Sequence, residues 1–340
     1  MRYVGLDIHK EFCQASILNE AGEELSNERI LSDVDSLNRF LETLDEAKFV
    51  LESTNVWEYI YETIESAGFD VVLAHPKQVK AIAAARVKTD KVDARTLAEL
   101  LRADMIPVSY VPERDVRDLR EALVRRASLV CDTTSLKNRV HAKLLRRGIR
   151  KPEEFTSNFT QKHRIWLRSQ KISSLDHLLN ALEATEKEIK EINSTLLKEY
   201  EKNDNAKLIS EIPGIGYYGA LMLTAEIGDV HRFHDPEHLS AYAGLVPTVH
   251  QSASSCYYGH ISKQGSRYMR WILVESVHIH VRNAPDSQIS KFFNKKSKKI
   301  GRNKATVATA RKMLHIIYWM LTREEHYHSH GLDLRPFPAT

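Results

Sequence analysis

With 340 residues, 42% of them hydrophobic and 28% charged, the chain can bury a sizeable core and is long enough for two or three domains. No apolar run approaches the ~18 to 20 residues of a membrane span, and YVGLDIHK opens the chain without a basic leader, so no membrane partner and a cytoplasmic location are expected. The net charge of +4 is too small to name a partner, and Cys13, Cys131 and Cys256, odd in number and without CxxC spacing, exclude a disulfide framework and a zinc ribbon.

Residues 1–111 alternate strand and helix signals. RYVGLDIH and FCQASIL read as short apolar strands and EELSNERIL as a third. Ser32 to Leu44 reads as a helix with Leu37, Phe40, Leu41 and Leu44 on one face. KFVLEST is a buried strand ending near Glu52, followed by a helix through Tyr59, Tyr61 and Ile64. FDVVLAH is another strand, and beyond Pro76 the chain reads as helical to about Met105. Three early strands, a helix, then alternating strands and helices is the order of an RNase H-like sheet. The fold class is therefore α/β in this region and all-α in the remainder of the chain.

Residues 112–204 carry no strand signal. One helix is expected from Glu113 to Arg147, closed by Gly148 as a left-handed cap, and a second from Leu175 to Tyr200. Leu178, Leu182, Ile189, Ile192 and Leu196 stand at near-heptad spacing in the second, which suggests a helical hairpin or coiled coil. Its apolar seam suits intrachain packing and a dimer contact equally. Lys137, Arg139, Lys143, Arg146, Arg147, Arg150 and Lys151 cluster around the end of the first helix; such a cluster is either a phosphate-binding footprint or a solvated face.

Residues 205–325 begin with EIPGIGYYGALMLTAEIG, whose Gly214 and Gly216 separate helical segments. Such a turn either offers backbone N–H groups to a phosphate, as a helix-hairpin-helix does, or simply joins two helices. SAYAGLVPTVHQSASS, the turn GHISKQGSRYMR and a helix from Ser266 to Arg282 come next. A second basic stretch, with Lys295, Lys296, Lys298 and Lys299 at its centre, precedes a final helix from Ala305 to Leu321. The tail, residues 326–340, holds His326, His328 and His330 at alternate positions, which reads as terminal disorder rather than a metal site.

Four acids carry the chemistry. Asp7 lies on a strand between Leu6 and Ile8, where an isolated carboxylate is costly, and Glu52 ends a second apolar strand that an RNase H-like sheet sets beside the first. Asp90 and Asp93, three apart in KTDKVDARTLA, share a helix face. Like charges ~4 Å apart repel by ~4 kcal/mol at an effective dielectric near 20, so convergence of all four requires a cation. Oxygen ligands without His or Cys suit magnesium or manganese, and two ions are expected for phosphodiester chemistry. Asp90 and Asp93 beside Lys88, Lys91 and Arg95 also fit a surface ion-pair helix. His9 and Lys10, directly after Asp7, read as a strand end before they read as phosphate contacts.

Taken together, GLDIHK, LESTNVWEYIYETI, VKTDKVDARTLAELL, IPGIG, AEIGDVHRF, AYAGLVP and GHISKQGSRYMR resemble, in order and spacing, the DEDD transposases of bacterial and archaeal insertion sequences, the family of the Piv invertase and the bridge-RNA-guided recombinases. The resemblance implies a RuvC-like DEDD domain, a coiled-coil insertion and a C-terminal transposase domain with a catalytic serine. The position matching that serine is Ser252, expected to act with the metal-bound quartet across a protomer interface. Ala253 stands where the family has glycine, which leaves Ser254 and Ser255 of the QSASS turn as alternatives, as is a Ser-rich turn with no catalytic part. Asn55, often glycine in the family, is a lesser departure. Lys263, Arg267 and Arg270, with Gly259 and Gly265, look like a phosphate-binding turn beside the serine. Arg125, Arg126, Asn138 and Arg139 match a helical segment that by resemblance contacts nucleic acid. The implied partners are donor and target DNA, a bridge RNA and further copies of the chain, as dimer or tetramer. A metal-dependent junction nuclease without serine chemistry is the alternative, and a nucleic-acid-binding scaffold without activity a third.

Overall fold

The alternating apolar residues Val4, Leu6 and Ile8 make β1 (Arg2–Ile8), the central strand of a five-stranded mixed sheet. On one side β1 pairs antiparallel with β2 (Phe12–Leu18), which pairs antiparallel with β3 (Glu24–Leu31). After α1 (Val34–Leu41) the chain returns as β4 (Ala47–Glu52), parallel to β1, and after α2 (Trp57–Ser66) as β5 (Asp70–Ala74), parallel to β4. The order β3-β2-β1-β4-β5 fits the expected RNase H-like sheet. A computed structural model supplies this description for residues 1–83, 89–252 and 255–329, with backbone alone at 249–252 and 255–258. The chain divides into two compact units, Met1–Pro112 and Glu113–Thr340.

The two faces of the sheet are different. Val4, Leu6 and Ile8 pack with Phe49 and Leu51 against Leu37, Phe40, Ile60 and Ile64 of α1 and α2. The opposite face carries Gly5, Asp7, Val50 and Glu52 and is covered by α3 (Pro76–Ile82) and α4 (Asp90–Arg102), with Leu97, Leu101 and Val79 packed on Val50. The single helix expected from Pro76 to Met105 is therefore two. Thr89 is extended, and its hydroxyl accepts the Val92 N–H at 3.3 Å, so it starts a new helix rather than continuing one; residues 84–88 lie outside the described chain.

In the second unit, α5 (Arg114–Arg146) ends as expected at Gly148, whose φ of +67° suits a left-handed cap. The Ile149 and Gly148 N–H groups bond Leu144 O and Leu145 O at 3.0 and 3.1 Å, closing a Schellman motif. Between the two long helices, α6 (Gln161–Ser169) buries Leu167 and His163. α7 (Ser173–Lys202) runs antiparallel to α5: Leu123 shares a core with Leu196, and Val140 and Leu144 share another with Leu175 and Leu179. Of the expected seam, Leu182 and Leu196 are buried, and Leu178, Ile189 and Ile192 are half-buried, with Leu175 and Leu179 fully buried beside Leu178.

The rest of this unit is α8 (Asp204–Ser210), α9 (Tyr217–Ile227), α10 (Pro236–Tyr242), a hairpin of β6 (Pro247–Ser252) and β7 (Ser255–Ile261), then α11 (Arg267–Asn283), α12 (Gln288–Ile300) and α13 (Arg302–Arg323). α9 is apolar all round and is tied to α5. Tyr218 donates to Leu123 O at 2.9 Å, and Arg120 donates to Ala225 O at 2.7 Å at the far end of α9. The second basic stretch is the helix α12, with Phe293 and Ile289 inward and Lys291, Lys295, Lys298 and Lys299 in solvent. The described start of the tail, residues 326–329, is held by Glu211. His326 Nδ1 lies 2.6 Å from Glu211 Oε1, and the Tyr327 N–H bonds the same carboxylate at 3.0 Å. His330 lies outside the described residues. Among the described residues no helix is long and apolar enough to cross a membrane.

Three histidines of this unit, His163, His280 and His315, are held below the ordinary pKa of 6.5, in each case first by burial. An imidazole kept neutral in the fold and free to protonate on unfolding contributes stability that is complete above 6.5 and is lost as pH falls through the lower folded-state value. Melting temperature is therefore expected to fall between about pH 7.5 and about pH 5, and His280→Asn to flatten that slope in calorimetric scans.

Candidate functional site

Register alone brings the first two acids together. β1 and β4 pair with Leu6 beside Leu51, so the next step sets Asp7 beside Glu52 on the face covered by α4. On the other side Asp7 is opposite Gln14, and Gln14 is opposite Arg29, which completes a polar row across the sheet. Asp90 and Asp93 come from above, in the first turn of α4, where the helix dipole offsets part of their charge. Their position depends on Gly5: a Cβ there would overlap Ala94 O and Ala98 N, so only glycine lets α4 lie this close to β1. The four acids line one cavity of about 320 Å³, with His9, Lys80 and Thr96 among its other walls.

The cavity is electrostatically uncomfortable without a cation. The Asp7 side chain is 12% exposed, and its pKa is raised, chiefly by burial. His9 pulls it down again, and the charges of Asp93, Asp90 and Glu52 push it further up. Arg29, stacked 3.7 Å above the Phe12 ring, is 3.9 Å from Asp90 and offers partial relief. His9 is the residue that sequence reasoning undervalued. Its N–H bonds Phe12 O at 2.9 Å, so the turn after β1 folds the ring back over the end of the sheet, 4.7 Å from the Phe12 ring. Nε2 lies 3.2 Å from Asp7 Oδ2 and 3.4 Å from Asp90 Oδ1, yet it is buried and makes no hydrogen bond. One ligand atom from each of Asp7, His9 and Asp90 falls within 4.8 Å of the others. Four carboxylates and an orphaned nitrogen around one cavity form a donor set that fits a divalent cation. Lys10 points to solvent.

In the second unit the candidate residues occupy several places. Ser252 is the last residue of β6, and its backbone pairs with Ser255, the first of β7; Ala253 and Ser254 lie outside the described residues. The base of the hairpin is locked to the AYAGLVP turn. Gly244 (φ +67°) and Gly265 (φ +127°) face each other's segments, and a Cβ on Gly265 would overlap Tyr242 O. Arg270 donates to Ala243 O at 2.9 Å and Gly265 O at 3.0 Å, so its guanidinium is committed to the backbone. Lys263 and Arg267 are exposed, the latter donating to Tyr268 OH at 2.7 Å. On α5, Arg125 pairs with Glu188 at 2.7 Å, whereas Arg126 donates to Asn193 and lies 4.2 Å over the Tyr218 ring. Asn138 and Arg139 are exposed. Gly214 (φ +102°) lets the IPGIG turn approach α11, where a Cβ would stand 2.7 Å from Ser276 O; Gly216 is open to solvent at the start of α9.

Comparison with known proteins places both units of the chain in one family. A DEDD family model of the IS110 type, described as transposase, matches residues 4–147, and the model described as Transposase IS116/IS110/IS902 family matches residues 206–294. The chain belongs to this family of DEDD-type insertion-sequence transposases and is accordingly an enzyme that transfers DNA. It is 28% identical to the transposase for insertion sequence element IS1111A of Coxiella burnetii, over 96% of this chain and 91% of that one. It is 24% identical to the transposase for insertion sequence element IS1328 of Yersinia enterocolitica, covering 94% and 96% of the two chains. It is also 24% identical to a probable family 20 transposase of Pseudomonas aeruginosa, covering 95% and 98%.

Two substitutions probe this geometry. Asp7→Asn removes a buried carboxylate from a repulsive cluster. In metal-free buffer it is expected to raise the melting temperature, by about 2–4 °C per kcal/mol relieved, and to abolish any rise on adding magnesium or manganese. Gly5→Ala pushes α4 off β1. A loss of about 1–3 kcal/mol in denaturant titration is expected, together with weakened metal binding although no acid is altered.

Proposed function

We propose that this chain cuts and rejoins DNA through a transient phosphoserine bond made by Ser252, with Asp7, Glu52, Asp90 and Asp93 as ligands of one or two magnesium or manganese ions and a structured bridge RNA choosing the sites. The observation that carries the reading is the convergence of four acids from three elements on one cavity, in a chain of a transposase family. Relatives named as insertion-sequence transposases along nearly their whole length support DNA as the substrate.

The serine oxygen forms a bond to the phosphorus of the scissile phosphodiester while the bond to the leaving deoxyribose oxygen breaks. The serine proton is given up and the leaving oxygen gains one, so the number of phosphoester bonds is conserved and the reverse step can rejoin a new end. Bound at the quartet, a divalent ion supplies electrostatic stabilisation of the attacking and leaving oxygens. Lys263 and Arg267, exposed next to the hairpin, neutralise charge on the phosphate. Asn138, Arg139, Arg125 and the open Gly216 contact nucleic acid. Arg126, Arg270 and Gly214, engaged with the protein's own backbone and side chains, hold those contacts in place. The α5–α7 pair acts as the coiled-coil element, and the working species is a dimer or tetramer because two duplexes must be held at once.

The test mixes the chain, the noncoding RNA flanking its gene, donor and target DNA and magnesium, and looks for protein covalently attached to DNA. Ser252→Ala is expected to abolish the adduct, Ser254→Ala and Ser255→Ala to retain it, and omission of the RNA to prevent it. An unchanged adduct in Ser252→Ala would overturn the serine assignment. Metal-dependent cleavage with no adduct in the unaltered chain would instead identify a hydrolytic junction nuclease.

A further inference from the structure

We propose that His9 is itself a ligand of the cation in the carboxylate cavity, adding one imidazole nitrogen to the oxygen set and biasing the site toward manganese-like ions over magnesium. The inference rests on the reading of the quartet as a metal site. It adds a ligand outside the quartet and a preference among ions.

The backbone of His9 is fixed on both sides, its N–H bonded to Phe12 O at 2.9 Å and its carbonyl accepting from Ser32 Oγ at 3.0 Å. With the ring against Phe12, Nε2 is directed at the gap between Asp7 and Asp90, 3.2 and 3.4 Å from their oxygens. A histidine placed there as a counter-ion would donate a hydrogen bond to one of the two carboxylates. Nε2 makes none, although it is buried. A buried nitrogen and two carboxylate oxygens that approach one another within 4.8 Å without hydrogen-bonding are arranged around a shared point, as ligands of one ion are. Magnesium holds an octahedron of oxygens and tolerates nitrogen poorly, whereas imidazole is an ordinary ligand for later first-row ions, and mixed carboxylate and imidazole sets accept manganese.

The experiment uses the full chain with a substoichiometric amount of Mn²⁺ and reads pulsed electron paramagnetic resonance, in which a directly bound imidazole nitrogen modulates the spin echo. Every sample carries His234→Ala, because His234, Asp235 and His238 form the other cluster among the described residues that could hold an ion. The expected result is nitrogen modulation that disappears in His9→Ala and in His9→Asp. His9→Ala should weaken Mn²⁺ binding at least by the roughly tenfold that loss of even an outer-shell partner costs. His9→Asp, which restores an oxygen, should shift the preference toward Mg²⁺. Bound Mn²⁺ without nitrogen modulation, or modulation that persists in His9→Ala, overturns the role of His9 and leaves the quartet as a metal site. Mn²⁺ that fails to bind, in a chain where Asp7→Asn changes nothing, overturns both readings.

Discussion

The first unit is organised around one close approach, that of α4 to β1 across Gly5. Backbone meets backbone there, and the meeting sets Asp90 and Asp93 above Asp7 and Glu52. Hydrophobic burial supplies the force: Leu97 and Ala98 are buried on the inner face of α4, and Leu97 packs with Val50 of the sheet. The burial of Asp7 and the repulsion among the acids oppose it, and both raise the Asp7 pKa, burial first. A fold that keeps such a cluster sacrifices stability for a preorganised site, the usual signature of a place where chemistry is done.

Much of this could be read directly from the residues, and the reasons are local. Alternation at Val4, Leu6 and Ile8 places Asp7 on the opposite face, and the apolar run before Glu52 marks a strand buried on both sides, which must be parallel and central. Three early strands in sequence then leave few ways to order the sheet. The acids could be grouped because each lies on a regular element whose periodicity fixes its direction.

What sequence could not show lies just beyond the ends of those elements. His9 comes after the last residue of β1, and a turn rather than a period decides where its ring goes; the pairing of His9 N–H with Phe12 O determines it. The start of α4 depends on Thr89, one residue whose cap competes with helix continuation. Leu178 fits a heptad as well as Leu175 or Leu179 does, and only the partner surface of α5 selects between them. The hairpin at Ser252 escaped notice because QSASSCYYG carries weak alternation, so cross-strand pairing rather than pattern defines it.

The positive residues of the second unit divide by the same logic. Arg126 and Arg270 each satisfy their guanidinium inside the fold, on Asn193 and Tyr218 in one case and on two carbonyls in the other. Lys263 and Arg139 are exposed, as are Lys291, Lys295, Lys298 and Lys299 of α12. A count of basic residues treats these groups alike, yet only a side chain free of internal obligations can exchange water and counterions for phosphate without leaving a buried donor unpaired. The binding surface of such a chain is therefore smaller than its basic clusters imply. Interlocked Gly244 and Gly265, with Arg270 donating to the carbonyls of Ala243 and Gly265, tie the turn that bears Lys263 to the AYAGLVP segment.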